Sequence, residues 1–256
     1  RGFPPAAIRH FCDMVGVTRS NGIVDVGMLE SAVRDDLEQN AKRAMCVREP
    51  LKVTIENFGA DETEMYSLPS HPKQDMGQRA VPFTQTLYIE KSDFSEDTSL
   101  SRKKFQRLVI GDFVRLRGSY VIKAERVIKD DSGDVVEVVA SLVAGTVGNN
   151  PPPEFKPRGV IHWVSAEQSI EVELRIYDRL FTVEGPDKDK DANFVDFINP
   201  DSLQVIKGAR AEPSLASAEQ EQGYQFERTG YFVLDEESAA SKLIFNQTLP
   251  LKAAKR

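Results

Sequence analysis

The chain has 256 residues, with 33 Lys+Arg against 40 Asp+Glu and a formal charge of −7, which is length enough for one large domain or two to three small ones with cores of their own. With 40% apolar and 29% charged residues, and no apolar run near the roughly 18 to 20 residues of a bilayer crossing, a globular chain with no membrane partner is expected. Cys12 and Cys46 stand alone, with no C-x-x-C and no histidine doublet nearby, so neither a disulfide framework nor a zinc site is expected, and a reducing, cytoplasmic setting is. Arg1 to Pro5 holds neither an initiator Met nor a signal sequence, so the chain reads as a piece of a longer one.

Elements follow in order along the chain. Pro4 and Pro5 ahead of Ile8, Phe11, Cys12 and Val15 predict a short amphipathic helix stopped at Gly16. After a Ser20-Asn21-Gly22 turn, Asp25 caps a second helix whose stripe of Leu29, Val33 and Leu37 runs toward Arg43. From Leu51 the texture changes. Segments 51–55, 85–89, 113–128 and 135–143 are rich in Val, Ile, Phe and Tyr and predict strands, with Asp130-Asp131-Ser132-Gly133 as hairpin turn chemistry. Further strands are expected at 159–165, 170–181, 203–206, 226–234 and 243–249. Breaks are expected at 149–153, 185–193 and 207–223. Many short strands without alternating helices predict antiparallel barrels.

Catalytic signals are absent. His10, His71 and His162 are scattered, no G-x-S-x-G elbow accompanies them, and neither phosphate-cradling glycine pattern occurs. Asp187, Asp189 and Asp191 alternate with lysines in what reads as a solvated loop.

The basic residues have a pattern. Between Ser99 and Lys129 lie Arg102, Lys103, Lys104, Arg107, Arg115, Arg117, Lys123, Arg126 and Lys129, against only Asp112 and Glu125. In Val114-Arg115-Leu116-Arg117 the two arginines fall on one strand face, and Phe105, Phe113 and Tyr120 are interleaved nearby. Paired guanidinium forks with aromatic neighbours are suited to RNA phosphates and unpaired bases. The competing reading is an ordinary solvated strand face with acidic neighbours.

Leu29 to Pro50 (LESAVRDDLEQNAKRAMCVREP) resembles the junction between the helical subdomain and the anticodon-binding barrels of glutaminyl-tRNA synthetases. The resemblance continues through His71-Pro72, Met76-Gly77, Val81-Pro82-Phe83, Arg107-Leu108-Val109, Val114 to Arg117, VIKAERV at 121–127, GVIHWVS at 159–165, YDRLF at 177–181, AEPSL at 211–215 and QFERTGYF at 225–232. It covers essentially the whole chain. The related glutamyl-tRNA synthetases of eukaryotic and archaeal kind share this architecture, but GVIHWVS and QFERTGYF resemble the glutaminyl branch. A stand-alone RNA-binding barrel protein is the reading from another class.

The resemblance implies a mainly β fold with a small N-terminal α-helical subdomain and two antiparallel six-stranded β-barrels related to ribosomal protein L-twenty-five. The expected division is a helical subdomain at 1–46, a first barrel from 47–93 plus 167–256, and a second barrel at 94–166. It further implies a parent ligase, monomeric, that joins glutamine to tRNA(Gln) with ATP and Mg. The HIGH-like and KMSKS-like motifs of its Rossmann half are absent here, so this part is expected to bind the anticodon loop and inner face of the tRNA, to hold no cofactor and to be inactive alone. Arg43 corresponds to the arginine reading the middle anticodon base, with Gln225 beside it. Arg115 falls at the first-base position, with Arg117 and Lys104 on neighbouring positions. Arg107 and Arg228 fall at the third base, with Glu227 orienting an arginine. Thr18 and Asp25 occupy a loop at the inside corner of the tRNA, and Lys73 and Gln106 are further contacts. Three features depart from the family pattern: Gln106 stands in place of Lys, the 71–76 loop is shorter by one, and the 98–103 loop is longer.

Overall fold

Helix α1, Pro5–Val15, begins on a proline whose missing N–H costs nothing in a first turn and stops at Gly16, whose φ of +70° lies in the left-handed region. Helix α2, Val26–Asn40, is capped by Asp25, whose carboxylate accepts the Gly27 amide at 2.8 Å. The computed structural model describes residues 1–17, 22, 24–188 and 193–252. Thr18, the Ser20-Asn21 part of the expected turn, and Asp189 and Asp191 lie outside the described residues.

The two helices and Ala41 form a small core with Tyr231 and Leu249, into which α2 turns Val33 and Leu37, as its stripe predicts. The stripe expected in α1 is not what it buries. Its buried residue is Ala7, and Ile8 is 41% exposed, because a small side chain allows the close approach that this short helix makes. Helical structure also ends earlier than expected. Ala41 takes extended dihedrals, and Lys42–Ala44 and Cys46–Val47 are strands, since pairing partners from the far end of the chain claim this apolar run.

The first sheet has seven strands in the order Lys42–Ala44, Gly223–Phe226, Gly230–Leu234, Leu243–Pro250, Ile170–Tyr177, Leu203–Ala211 and Cys46–Val47. Its two edge strands are separated in sequence only by Met45, so the chain draws the edges together and the sheet curls into a barrel. The second seven-stranded sheet runs Val160–Ile161, Phe113–Leu116, Val121–Lys129, Val135–Val143, Pro50–Ile55, Thr86–Glu90 and Val164–Ser165. Here the edges are separated only by His162 and Trp163. Each closing segment contributes two short strands to its sheet. Closure removes the unpaired edges that an open sheet would present.

The expected partition of residues is corrected by the pairing. Pro50–Ile55 pairs with Val135–Val143 and with Thr86–Glu90, so this part of 47–93 belongs to the second sheet and not to the sheet formed by 167–256. Leu51, Val53, Ile55, Leu87 and Ile89 share a core with Val114, Leu116, Ile122 and Trp163, whereas Val172, Leu174, Phe226, Phe232 and Phe245 form the other. Alternating apolar residues announce a buried face without saying which sheet it faces.

Both sheets are mixed and not purely antiparallel. Lys42–Ala44 with Gly223–Phe226, Ile170–Tyr177 with Leu243–Pro250, Val135–Val143 with Pro50–Ile55, and Phe113–Leu116 with Val160–Ile161 are all parallel pairs. Each joins segments remote in sequence, where no local turn signal exists. The Asp130–Gly133 hairpin forms as expected, Asp130 Oδ1 accepting the Ser132 and Asp134 amides. Segment 113–128 is broken at Arg117–Tyr120, and 226–234 is two strands around a turn at Glu227–Arg228. Strand Leu203–Ala211 runs through the start of the expected 207–223 break, and the hairpin of Glu64–Pro69 with Gln78–Phe83 lies where no strand is expected.

Candidate nucleic-acid interface

The tight turns that interrupt two predicted strands carry the arginines of interest. Arg117 leaves the strand Phe113–Leu116 and is followed by Gly118, whose φ of +69° lies in the left-handed region that favours glycine. The Arg117 backbone is fixed on both sides, its amide donating to Ile161 O at 2.8 Å and its carbonyl accepting the buried Trp163 indole N–H at 3.0 Å. Arg228 occupies the turn between Gly223–Phe226 and Gly230–Leu234 with φ of +66°, a conformation costly for a side chain of its kind. The side chains of the two turns meet between the sheets.

Glu227 links them. Its Oε2 accepts Arg117 Nε at 2.6 Å and its Oε1 accepts Arg79 Nη2 at 2.8 Å. Arg79 in turn places Nε 2.9 Å from Glu212 Oε1. Glu212 is fully buried, and desolvation pushes its carboxyl up against the opposing pull of Arg79, of the Ser214 hydroxyl and of the Met45 amide. The arginines that Glu227 holds are Arg117 and Arg79, and not Arg107 or Arg228, the pair the resemblance set beside it. Arg43, Arg79, Arg117 and Glu227 line one cavity of about 270 Å³ with Leu68, Pro69, Pro72 and Gly118. Arg117, Gln225, Glu227 and Arg228 line a neighbouring one of about 360 Å³ with Val160, His162 and Leu251.

A second carboxylate serves two arginines. Asp93, 1% exposed, accepts Arg228 Nη1 at 2.5 Å and Nη2 at 2.7 Å on its two oxygens, and Arg107 Nε lies 3.1 Å from Oδ1. Arg107 also donates to Ser92 O at 2.8 Å, and Arg228 Nη1 sits 3.2 Å from His162 Nδ1. The other ring nitrogen of His162 faces Glu90 at 3.5 Å. Burial alone would raise the Glu90 carboxyl, but His162, the Arg48 amide and the Arg48 charge bring it down to about 2.

Arg43 stands in the strand Lys42–Ala44, in register with Gln225. It is 6% exposed, donating to Ala41 O and Glu38 O at 3.2 and 3.0 Å and pairing with Glu38 Oε2 at 3.3 Å. The same Glu38 oxygen accepts Tyr231 OH at 2.8 Å and Gln225 Nε2 at 3.5 Å. Burial, reinforced by Glu38, pushes the Tyr231 phenol up to about 12. Glu38 thus gathers Arg43, Gln225 and Tyr231 around one carboxylate, at the rim of the cavity that Arg43 shares with Arg117.

The remaining expected residues are dispersed. Arg115 does not share a free face with Arg117: its guanidinium donates to Thr146 O at 2.7 Å, Asn149 O at 2.6 Å and Ser119 O at 3.2 Å, pinning the 144–150 loop. Lys104 and Gln106 lie on an exposed segment, and Lys73 on an exposed loop whose amide binds His71 Nδ1. Asp25 is the helix cap described above, and Thr18 lies outside the described residues. The basic window is largely neutralised by acids, most of them from other segments: Arg102 with Asp112, Arg107 with Asp93, Arg117 with Glu227, Lys123 with Glu125, Arg126 with Glu56 and Lys129 with Glu96. Among the described residues, Lys103 and Lys104 carry no such pairing.

Sequence reasoning missed Arg79, Asp93 and Glu38. Arg79 had a readable signal, since it falls in phase with Val81 and Phe83, both fully buried, on the strand Gln78–Phe83. Asp93 and Glu38 had none, because a lone acid near a strand end or on a helix reads as solvated.

Two curled, closed sheets whose seam gathers arginine forks braced by buried acids define a module built to present directed hydrogen-bond donors to an anionic or base-bearing ligand. Family models describe residues 41–143 and again 160–235 as the anticodon-binding domain of class I tRNA synthetases for glutamate and glutamine, and the chain belongs to this family. Glutamine-tRNA ligases from Stutzerimonas stutzeri, Vibrio parahaemolyticus and Azotobacter vinelandii are 53%, 52% and 51% identical over 98% of the chain. The chain spans 45% of the length of each of these relatives.

Proposed function

We propose that this chain is the anticodon-reading portion of a glutamine-tRNA ligase and that its seam binds the anticodon loop of tRNA(Gln). The observation that carries the reading is the convergence of Arg43, Arg117, Gln225, Glu227 and Arg228 on two adjoining cavities, although they come from segments more than a hundred residues apart in some cases. The buried acids Glu227 and Asp93 hold the Arg117 and Arg228 forks at fixed angles, which suits base edges better than a mobile phosphate backbone. The names of the relatives favour glutamine over glutamate.

In this reading the parent ligase is a cytoplasmic monomer, and ATP with Mg serves its catalytic part, to which this chain contributes no residue. The chain alone binds tRNA without charging it. Lys104, with Lys103, supplies the phosphate contacts, while Arg115 acts through the loop it pins. The test is the affinity of the chain for tRNA bearing a CUG or UUG anticodon, against middle-base variants, at two salt concentrations. Anticodon-dependent binding with a shallow salt slope is expected. Binding that ignores the anticodon and falls steeply with salt would reduce the chain to an electrostatic handle.

A further inference from the structure

Asp93 combines three properties: it is buried to 1% exposure, it engages both nitrogens of the Arg228 fork, and its Oδ1 is shared with Arg107. It sits in the turn of 3-10 helix Lys91–Asp93 directly after the closing-sheet strand Thr86–Glu90. Arg228 lies in the turn between two strands of the other sheet, so the carboxylate spans the seam. One negative charge facing two guanidinium groups leaves a single net positive charge. The carboxylate occupies both terminal nitrogens of Arg228 and pairs with Nε of Arg107, whose Nη1 is held by Ser92 O, so each arginine has only its remaining N–H groups to offer a ligand. The left-handed backbone of Arg228 is disfavoured for its residue type, and its side-chain angle has no local determinant. The bidentate pairing supplies the restraint.

We propose that Asp93 is a positioning residue that sets specificity: it couples Arg107 and Arg228 into one reading unit and suppresses their attraction for RNA of the wrong sequence. The inference rests on the anticodon-reading function proposed above and on the base positions that the family resemblance implies, the third for Arg107 and Arg228 and the middle for Arg43. An unbraced arginine pair binds any phosphate, whereas the braced pair rewards only a base whose acceptors meet both remaining edges. Asp93 therefore contributes discrimination at the cost of raw affinity.

The experiment compares the chain with Asp93→Asn for binding to tRNA carrying the cognate anticodon, its third-base variants and its middle-base variants, across a series of salt concentrations. Asp93→Asn is expected to reduce third-base discrimination about tenfold, the scale of one lost directed fork. Affinity for the third-base variants is expected to rise, with a salt slope steeper by about one. Middle-base discrimination, which depends on Arg43, is expected to hold. Unchanged third-base discrimination overturns the proposal, as does an equal fall at both bases. Should Asp93→Asn not fold, Asp93→Glu decides: it keeps the charge and displaces the fork, so it should lose third-base discrimination at an unaltered salt slope, and full retention overturns the proposal. Arg107→Ala and Arg228→Ala separate the levels. If neither affects third-base discrimination, the underlying assignment of these arginines fails. If both do while Asp93→Asn does not, only the role of Asp93 falls.

Discussion

Arg79 and Glu227 meet across the seam with Nη2 2.8 Å from Oε1, and the other oxygen of the same carboxylate holds Arg117 at 2.6 Å. Because Arg79 is also the partner of fully buried Glu212, one guanidinium both stabilises the fold and fixes the arginine that faces the cavity. Exposed ion pairs contribute little, but a buried charge stripped of its partner is expensive.

Arg79→Ala should therefore destabilise the chain by about 3 to 5 kcal/mol, since it leaves Glu212 without its counter-charge. Chemical denaturation measures this. The double variant Arg79→Met, Glu212→Gln should recover much of the loss while leaving RNA binding impaired, because Glu227 would still lack its brace. A loss no larger than that of Arg126→Ala, an exposed pair with Glu56, would contradict the buried network.

Glu90 predicts the acid limb of stability. Its carboxyl titrates near 2 in the folded chain against an ordinary 4.5. A depressed folded value means that the contribution is complete above the unfolded value and drains away as pH falls from about 4.5 toward 2. The shift corresponds to about 3 kcal/mol. Glu90→Gln should flatten stability across that window, and thermal midpoints measured between pH 5 and 2.5 would report it.

Arg43→Ala should weaken binding to the cognate anticodon by about 1 to 3 kcal/mol, the scale of one directed base contact. It should change binding to a middle-base variant far less. Equal losses on both RNAs would remove base reading at this position. The cavity rim it shares with Arg117 would then act in phosphate contact alone.

Lys103 and Lys104 predict the opposite signature. Their replacement by Ala should lower the salt slope by about 1 to 2 and weaken all tRNAs alike, because exposed ammonium groups with no acidic partner among the described residues release counterions without reading bases. A change in anticodon discrimination would place them among the reading groups.

Arg115→Ala should release the 144–150 loop, whose carbonyls at Thr146 and Asn149 it holds. Amide exchange of that loop should rise by at least about tenfold, with the core strands unaffected. Loss of first-base discrimination together with loop mobility would make Arg115 an indirect reader. Loss of discrimination with a protected loop would make it a direct one.

Much of the local architecture was legible. Asp25 announced the start of α2, the Asp130–Gly133 turn announced its hairpin, and the apolar stripe of α2 named Val33 and Leu37 as buried. Residues Arg43, Arg107, Arg117, Gln225, Glu227 and Arg228 were singled out through resemblance, and their convergence on the seam was visible only in three dimensions. The glycine-bearing turn after Arg117 was hidden inside what read as one long strand, because Val, Leu, Tyr and Ile flank it on both sides.

The sequence by itself determined many of the strands, the cap of α2, the family pattern and the existence of a basic window, since each depends on neighbours within a few residues. Tertiary structure decided that the window is mostly neutralised, that Pro50–Ile55 and Thr86–Glu90 join the second sheet, and that Asp93, Glu38 and Glu227 each gather groups from distant segments. The physical reason is that a charge is defined by what it faces. Arg228 and Asp93 lie 135 residues apart and no periodicity links them. Only closure of two sheets, each by a segment that bridges its own edges, brings their side chains within a hydrogen bond.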